Sequence, residues 1–171
     1  AMQPTLAYLS AGIDYWSRTD ADPYAVADID PVLRPILKMA FLTGLNADTL
    51  NSASKALHQE VRKSHPEHLE VVPGPKAAET IFERLIAQHP GLGPLWFQGR
   101  GAYLQFLESE VTVGVLQRMK EVGVTVLPIH DSFICRASEQ GRLEAAMRDS
   151  LSAIALEYLG VDSPECRIEV G

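Results

Sequence analysis

Apolar positions in this chain recur mostly with the 3.6-residue period of a helix, and the breaks fall where Pro and Gly gather. Pro4, Leu6, Ala7 and Leu9 predict a short first helix ending near Gly12. Asp22-Pro23-Tyr24 reads as a turn. Asp30 then supplies a capping carboxylate before Pro31, and Val32, Leu33, Ile36, Leu37, Ala40 and Phe41 give a helix over 31–43 a wide apolar face. Leu50, Ala53, Leu57 and Val61 predict a helix over 47–64, which Pro66 stops. A loop with three prolines and a glycine fills 65–76, and Ala77, Ala78, Ile81, Phe82, Leu85 and Ile86 carry a helix over 76–89.

Four glycines and two prolines around Trp96 and Phe97 make a second break over 90–101. Leu104, Leu107, Val111, Val115, Leu116 and Met119 then predict the longest helix, over 102–121, closed by Gly123. Two β-prone runs follow, 124–129 and 132–136, separated only by His130-Asp131, which predicts a hairpin over 124–136. A last helix over 139–159 rests on Leu143, Ala146, Met147, Leu151, Ile154 and Leu156, and the alternation in Arg167-Ile168-Glu169-Val170 predicts a closing strand over 167–170. The pattern is that of an α+β chain, mostly helical, with a small antiparallel sheet.

Composition narrows the function. At 171 residues, 46% apolar and 22% charged, the chain has the make-up of one globular domain. Its net charge of −7 argues against a surface that grips nucleic acid all over, though not against a local basic face. The charge is unevenly spread: residues 1–30 hold five acids and one Arg, whereas 31–66 hold five basic residues and two acids. Arg34, Lys38, Lys55, Arg62 and Lys63 form that basic stretch, so a phosphate ligand is expected there, if these are not simply the solvated faces of two helices. No stretch approaches the roughly 18 apolar residues of a membrane span, and no signal-peptide pattern opens the chain. Cys135 and Cys166 read as two reduced thiols, and a cytoplasmic setting is expected.

Two groupings carry candidate chemistry. An aspartate at a hairpin tip, Asp131, is held by short strands and open to solvent, which suits a magnesium ligand because that ion takes hard oxygen donors; Asp and Ser are equally ordinary turn residues. Arg34 and Lys38 stand four residues apart on one predicted helix, and two cations on one helical face can clamp a polyphosphate.

The order of these features resembles a known family. An apolar strand, His130-Asp131, a second apolar strand and a helix resemble the third conserved palm motif of family A DNA polymerases. His-Asp-Ser-Phe at 130–133 also resembles the equivalent motif of single-subunit phage-type RNA polymerases. Arg34, Lys38 and Phe41 are similar to the fingers helix of those enzymes, with Phe41 three residues after the Lys where the family's aromatic residue stands four after it. Gln98-Gly99, just before the long helix, is similar to the family's Gln-Gly segment.

The resemblance implies a palm-like fold with reduced fingers: 1–30 as a palm-associated segment, 31–89 as fingers-like helices, and 90–171 as palm-like hairpin and helices. It implies metal-dependent nucleotidyl transfer to a primer 3′-hydroxyl, in a protein of the kind that phages or mobile elements carry for DNA replication. In that scheme Asp131 binds Mg2+ and His130 supports the primer end. Arg34 and Lys38 hold the nucleoside triphosphate with Phe41 near its base, and Gln98 touches the primer–template, to which Lys55, Arg62 and Lys63 add basic contacts. Two-metal chemistry needs a second bridging carboxylate, which the family takes from a strand upstream of the fingers. The chain is therefore expected to be a fragment that begins after that first palm aspartate, short of a palm strand or partner domain, and inactive alone. The alternative is a catalytically degenerate, polymerase-derived module that binds nucleic acid or another partner.

Overall fold

The computed structural model describes residues 2–130 and 132–168. It has six α-helices among these residues, with a two-stranded antiparallel sheet after the fifth, so the α+β, mostly helical class holds. The chain forms two compact units: Ala21–Ala102, all helical, and Ala1–Asp20 with Tyr103–Gly171.

In the helical unit, Asp30 accepts a hydrogen bond from the Val32 N–H at 2.9 Å and opens a 3-10 turn, Pro31–Leu33, that leads into α2 (Arg34–Asn46). Pro35 falls in the first turn, where a missing N–H costs nothing. The next helix, α3 (Leu50–Ser64), is started by a capping box: the Thr49 hydroxyl accepts from the Ser52 N–H at 3.1 Å, and the Ser52 hydroxyl accepts from the Thr49 N–H at 3.2 Å. That cap explains why the helix begins three residues later than the apolar pattern predicts. Helices α2, α3 and α4 (Pro75–Gln88) pack on one another around Ile36, Leu37, Phe41, Leu57, Phe82 and Leu85, all at most 2% exposed. A cavity of about 370 Å³ opens between the start of α2 and α4, walled by Leu33, Ile36, Leu37, Val71 and Ile81 with Asp28, Asp30 and Arg84 also lining it.

The other unit joins α1 (Met2–Ser10) to α5 (Gly101–Glu121, of which Tyr103 onward belongs here), strands β1 (Leu127–Ile129) and β2 (Ser132–Ile134), and α6 (Gln140–Ile154). Leu104, Leu107, Val111, Val115 and Met119 are at most 1% exposed, the inward stripe that the spacing predicts for α5. Gly114 lets α5 and α6 approach closely, since a Cβ there would sit 3.1 Å from the Ser150 hydroxyl. A single π-helical turn, Ala155–Leu159, prolongs α6 and ends at Gly160 with φ 68°.

The closing strand is corrected in its described part. Arg167 and Ile168 are irregular, and Glu169 and Val170 lie outside the described residues. The Arg167 guanidinium sits 5.5 Å from the Trp16 ring centroid and donates to the Asp20 carbonyl at 2.9 Å, while the Glu165 N–H donates to the Asp14 carboxylate at 2.9 Å. Side chains therefore tie this segment to the 14–20 loop.

Candidate functional site

Arg34 and Lys38 occupy the first two turns of α2, and both are exposed. Spacing of four residues puts them on one side of the helix. Both cations lie over the Tyr24 ring, with 5.3 Å from the Arg34 guanidinium carbon and 5.8 Å from the Lys38 ammonium to its centroid. Tyr24 is itself buried, so its face is a fixed floor beneath two exposed side chains. The Asp22 carboxylate meets the guanidinium edge-on: one oxygen accepts from Arg34 Nε and the other from Arg34 Nη2 at 3.3 Å. The Tyr24 N–H also donates to Asp22, at 3.1 Å. Partial burial pushes the Asp22 carboxyl up, but the Arg34 hydrogen bonds, the Tyr24 N–H and the Arg34 charge outweigh it and hold the group below the usual carboxylate range. Lys38 forms no ion pair among the described residues.

Phe41 corrects the expectation drawn from the resemblance. It is 0% exposed, with the Tyr24, His89 and Trp96 rings packed edge-on around it at 5.6, 5.3 and 5.2 Å. With no exposed surface, Phe41 has no face free for a base and supports α2 from inside the core.

Gln98 is exposed in a strap laid over the far end of the same helix. The Phe97 N–H donates to the Gly44 carbonyl at 2.8 Å, Gly99 to Ala47 at 3.1 Å and Arg100 to Leu45 at 2.8 Å, which satisfies orphan carbonyls at the α2 C-terminus. The strap approaches so closely that a Cβ on Gly44 would lie 2.8 Å from the Trp96 ring. Twelve residues separate Arg34 from Asn46, so the clamp and Gln98 stand about 18 Å apart along the helix at 1.5 Å per residue. Lys55, Arg62 and Lys63 are exposed on α3, the last two in its final turn, where cations also suit the helix dipole. The nearby His58 bonds the Val72 carbonyl at 3.0 Å.

The hairpin belongs to the other unit. Ile129 pairs with Ser132 and Leu127 with Ile134, so the connection predicted at His130-Asp131 is where the register puts it. His130 is exposed and has φ 54°, a left-handed conformation suited to a two-residue hairpin turn. Asp131 lies outside the described residues. Phe133 and Cys135 pack against Val115, Met119, Val126, Leu143 and Ala146, which anchors the hairpin from one face. Leu127, Ile129 and Ile134 share the opposite face and are 50 to 59% exposed.

A magnesium site finds no complete donor set among the described residues, where no three His, Cys, Asp or Glu side chains gather to hold a metal ion. Sequence reasoning missed Asp22 and Tyr24 as members of the cation cluster. The Asp-Pro-Tyr signal was there, but it reads as a turn, and only the fold brings it against residues ten to fourteen positions further on.

The comparisons with known proteins add no relative. No family model, curated protein or solved structure matches the chain. No helix among the described residues is long and apolar enough to cross a membrane.

Proposed function

We propose that this chain is a palm-and-fingers-like part of a nucleotidyl-transferring protein, and that its α2 clamp binds the polyphosphate of a nucleoside triphosphate. The observation that carries this is the pair Arg34 and Lys38, one turn apart and both resting on the Tyr24 ring. Such a pair supplies a planar fork and a point charge to adjacent phosphates, and charge-assisted bonds of this kind are the strong ones. Gln98, at the other end of α2, and Lys55, Arg62 and Lys63 on α3 fit contacts to a primer–template strand. His130 would support the primer end and Asp131 would supply one carboxylate to Mg2+, whose chemistry is activation of the attacking hydroxyl and stabilisation of the leaving oxygens. A second carboxylate, from a palm strand or partner domain, belongs to the same proposal, as does a cytoplasmic setting.

A nucleoside triphosphate with magnesium, titrated calorimetrically into the chain, tests the clamp. Arg34→Ala and Lys38→Ala are each expected to weaken binding about tenfold, the lower end for a charge-assisted hydrogen bond. Unchanged affinity in both variants, or no binding by the parent chain, defeats the reading. The burial of Phe41 favours a second reading, a polymerase-derived binding module without catalysis. Triphosphate binding with no primer extension, even when the upstream palm strand is supplied, selects that second reading.

A further inference from the structure

We infer that Asp22 is an internal competitor for the α2 clamp: its carboxylate occupies the guanidinium fork of Arg34, and a polyphosphate must displace it to bind. This rests on the polyphosphate reading of Arg34 and Lys38 and assigns a regulating residue to the same site. Both carboxylate oxygens of Asp22 are turned to Arg34, in the side-on, two-bonded geometry with which a guanidinium also takes a phosphate. The carboxylate is pre-aimed, because the Tyr24 N–H holds one of its oxygens and Tyr24 is fixed in the core. The pair is nevertheless open to exchange. The Arg34 side chain is 54% exposed and that of Asp22 33%, so water can solvate both groups as they part.

The charges make the consequence concrete. With Asp22 in place the cluster of Asp22, Arg34 and Lys38 carries a net charge of +1, and with Asp22 swung out the two clamp cations present +2 to a ligand. An anion that uses Arg34 binds only the open arrangement, so its apparent affinity falls by the open fraction. A well-formed exposed ion pair corresponds to an open fraction of about one fifth, and removing the competitor should tighten binding about fivefold.

The test uses inorganic tripolyphosphate as the probe, titrated by calorimetry into the 171-residue chain and its variants at low salt. Asp22→Asn keeps an acceptor for the Tyr24 N–H and removes the charge, and Asp22→Ser does the same with a shorter side chain. Each is expected to bind about fivefold more tightly than the parent, with far-ultraviolet circular dichroism reporting that it is folded. The gain is expected to vanish in an Arg34→Gln background, which separates release of the fork from a general loss of negative charge. If the parent binds through Arg34 and Lys38 but neither Asp22 variant gains, the competitor role is wrong and the proposed function stands. If the gain survives in Arg34→Gln, the competitor role is also wrong. If neither the parent nor the Asp22 variants bind tripolyphosphate, both readings fall together.

Discussion

Acidification should loosen the helical unit through one buried imidazole. His89 caps the end of α4, is 3% exposed, and lies edge-on to Phe41 at 5.3 Å. A helix C-terminus favours a charged imidazole by about 0.3–1 kcal/mol, but burial works the other way and wins. Despite an opposing hydrogen bond to the Pro23 backbone, burial lowers the His89 pKa from its ordinary 6.5 to about 4. The sign follows from proton uptake. Above pH 6.5 the imidazole is neutral both folded and unfolded, and this group costs nothing. Between pH 6.5 and about 4 only the unfolded chain takes up the proton, so stability falls with pH across that window. The loss amounts to about 2 kcal/mol at pH 5 and levels off near about 3 kcal/mol below pH 4. For a chain of this size that is a fall of about 4–8 °C in Tm between pH 7 and pH 5. Thermal unfolding of the parent and of His89→Asn, which keeps a short donor toward the Pro23 backbone, measures it. The variant starts less stable because a ring is lost, yet its Tm should fall less steeply over this interval, since all other titrating groups are shared. Parallel pH profiles for the two proteins would refute the argument.

Other outcomes follow from particular contacts. Gly44→Ala should lower the urea midpoint by the equivalent of about 1–3 kcal/mol, because the new methyl meets the Trp96 ring at 2.8 Å and Phe82 at 3.2 Å in a filled core; an unchanged midpoint would mean that the strap moves aside freely. Thr49→Ala removes one half of the α3 capping box and should cost about 1 kcal/mol, with Ser at the same position restoring it. Arg167→Ala should cost about 1 kcal/mol and change Trp16 fluorescence, since the guanidinium lies over that ring; unaltered emission would count against the tie between the 14–20 loop and the chain end. His130→Gly should leave stability equal or raise it by up to about 1 kcal/mol, because glycine takes φ 54° without steric cost; a clear loss would point to a packing role for the imidazole.

Local grammar made most elements legible. Prolines and glycines mark the breaks, and Asp30-Pro31, Pro66 and Pro90 stand where the 3-10 turns and helices begin or stop. Boundaries shifted where a side chain decided them, as Thr49 does for α3. The apolar spacing carries one helix over 139–159, and the helical run does end at Leu159; what the spacing does not distinguish is that its last turn, Ala155–Leu159, widens from α to π. Arg167 and Ile168 alternate with their neighbours as a strand would, yet alternation says only which sides face apart, and a lone segment still needs an edge to pair with.

The candidate site divides along the same line. Arg34 and Lys38 were readable as a pair because their relation is internal to one helix. Phe41 shows the limit of resemblance against pattern. It continues the apolar set of Ile36, Leu37 and Ala40, and that set alone predicts the burial observed, whereas the family's position for an aromatic residue drew it toward a ligand. Asp22 and Tyr24 are the reverse case. Their types are ordinary for a turn, and nothing within a few residues hints that one will fill the Arg34 fork and the other will floor it. A contact across twelve residues, between a loop and a helix start, depends on how the loop packs, and here the packing is set by Tyr24 entering the core against Phe41 at 5.6 Å. The buried Phe41, lost as a ligand contact, is thus what fixes the ring on which both cations rest, and truncating it should loosen the clamp without touching an exposed charge.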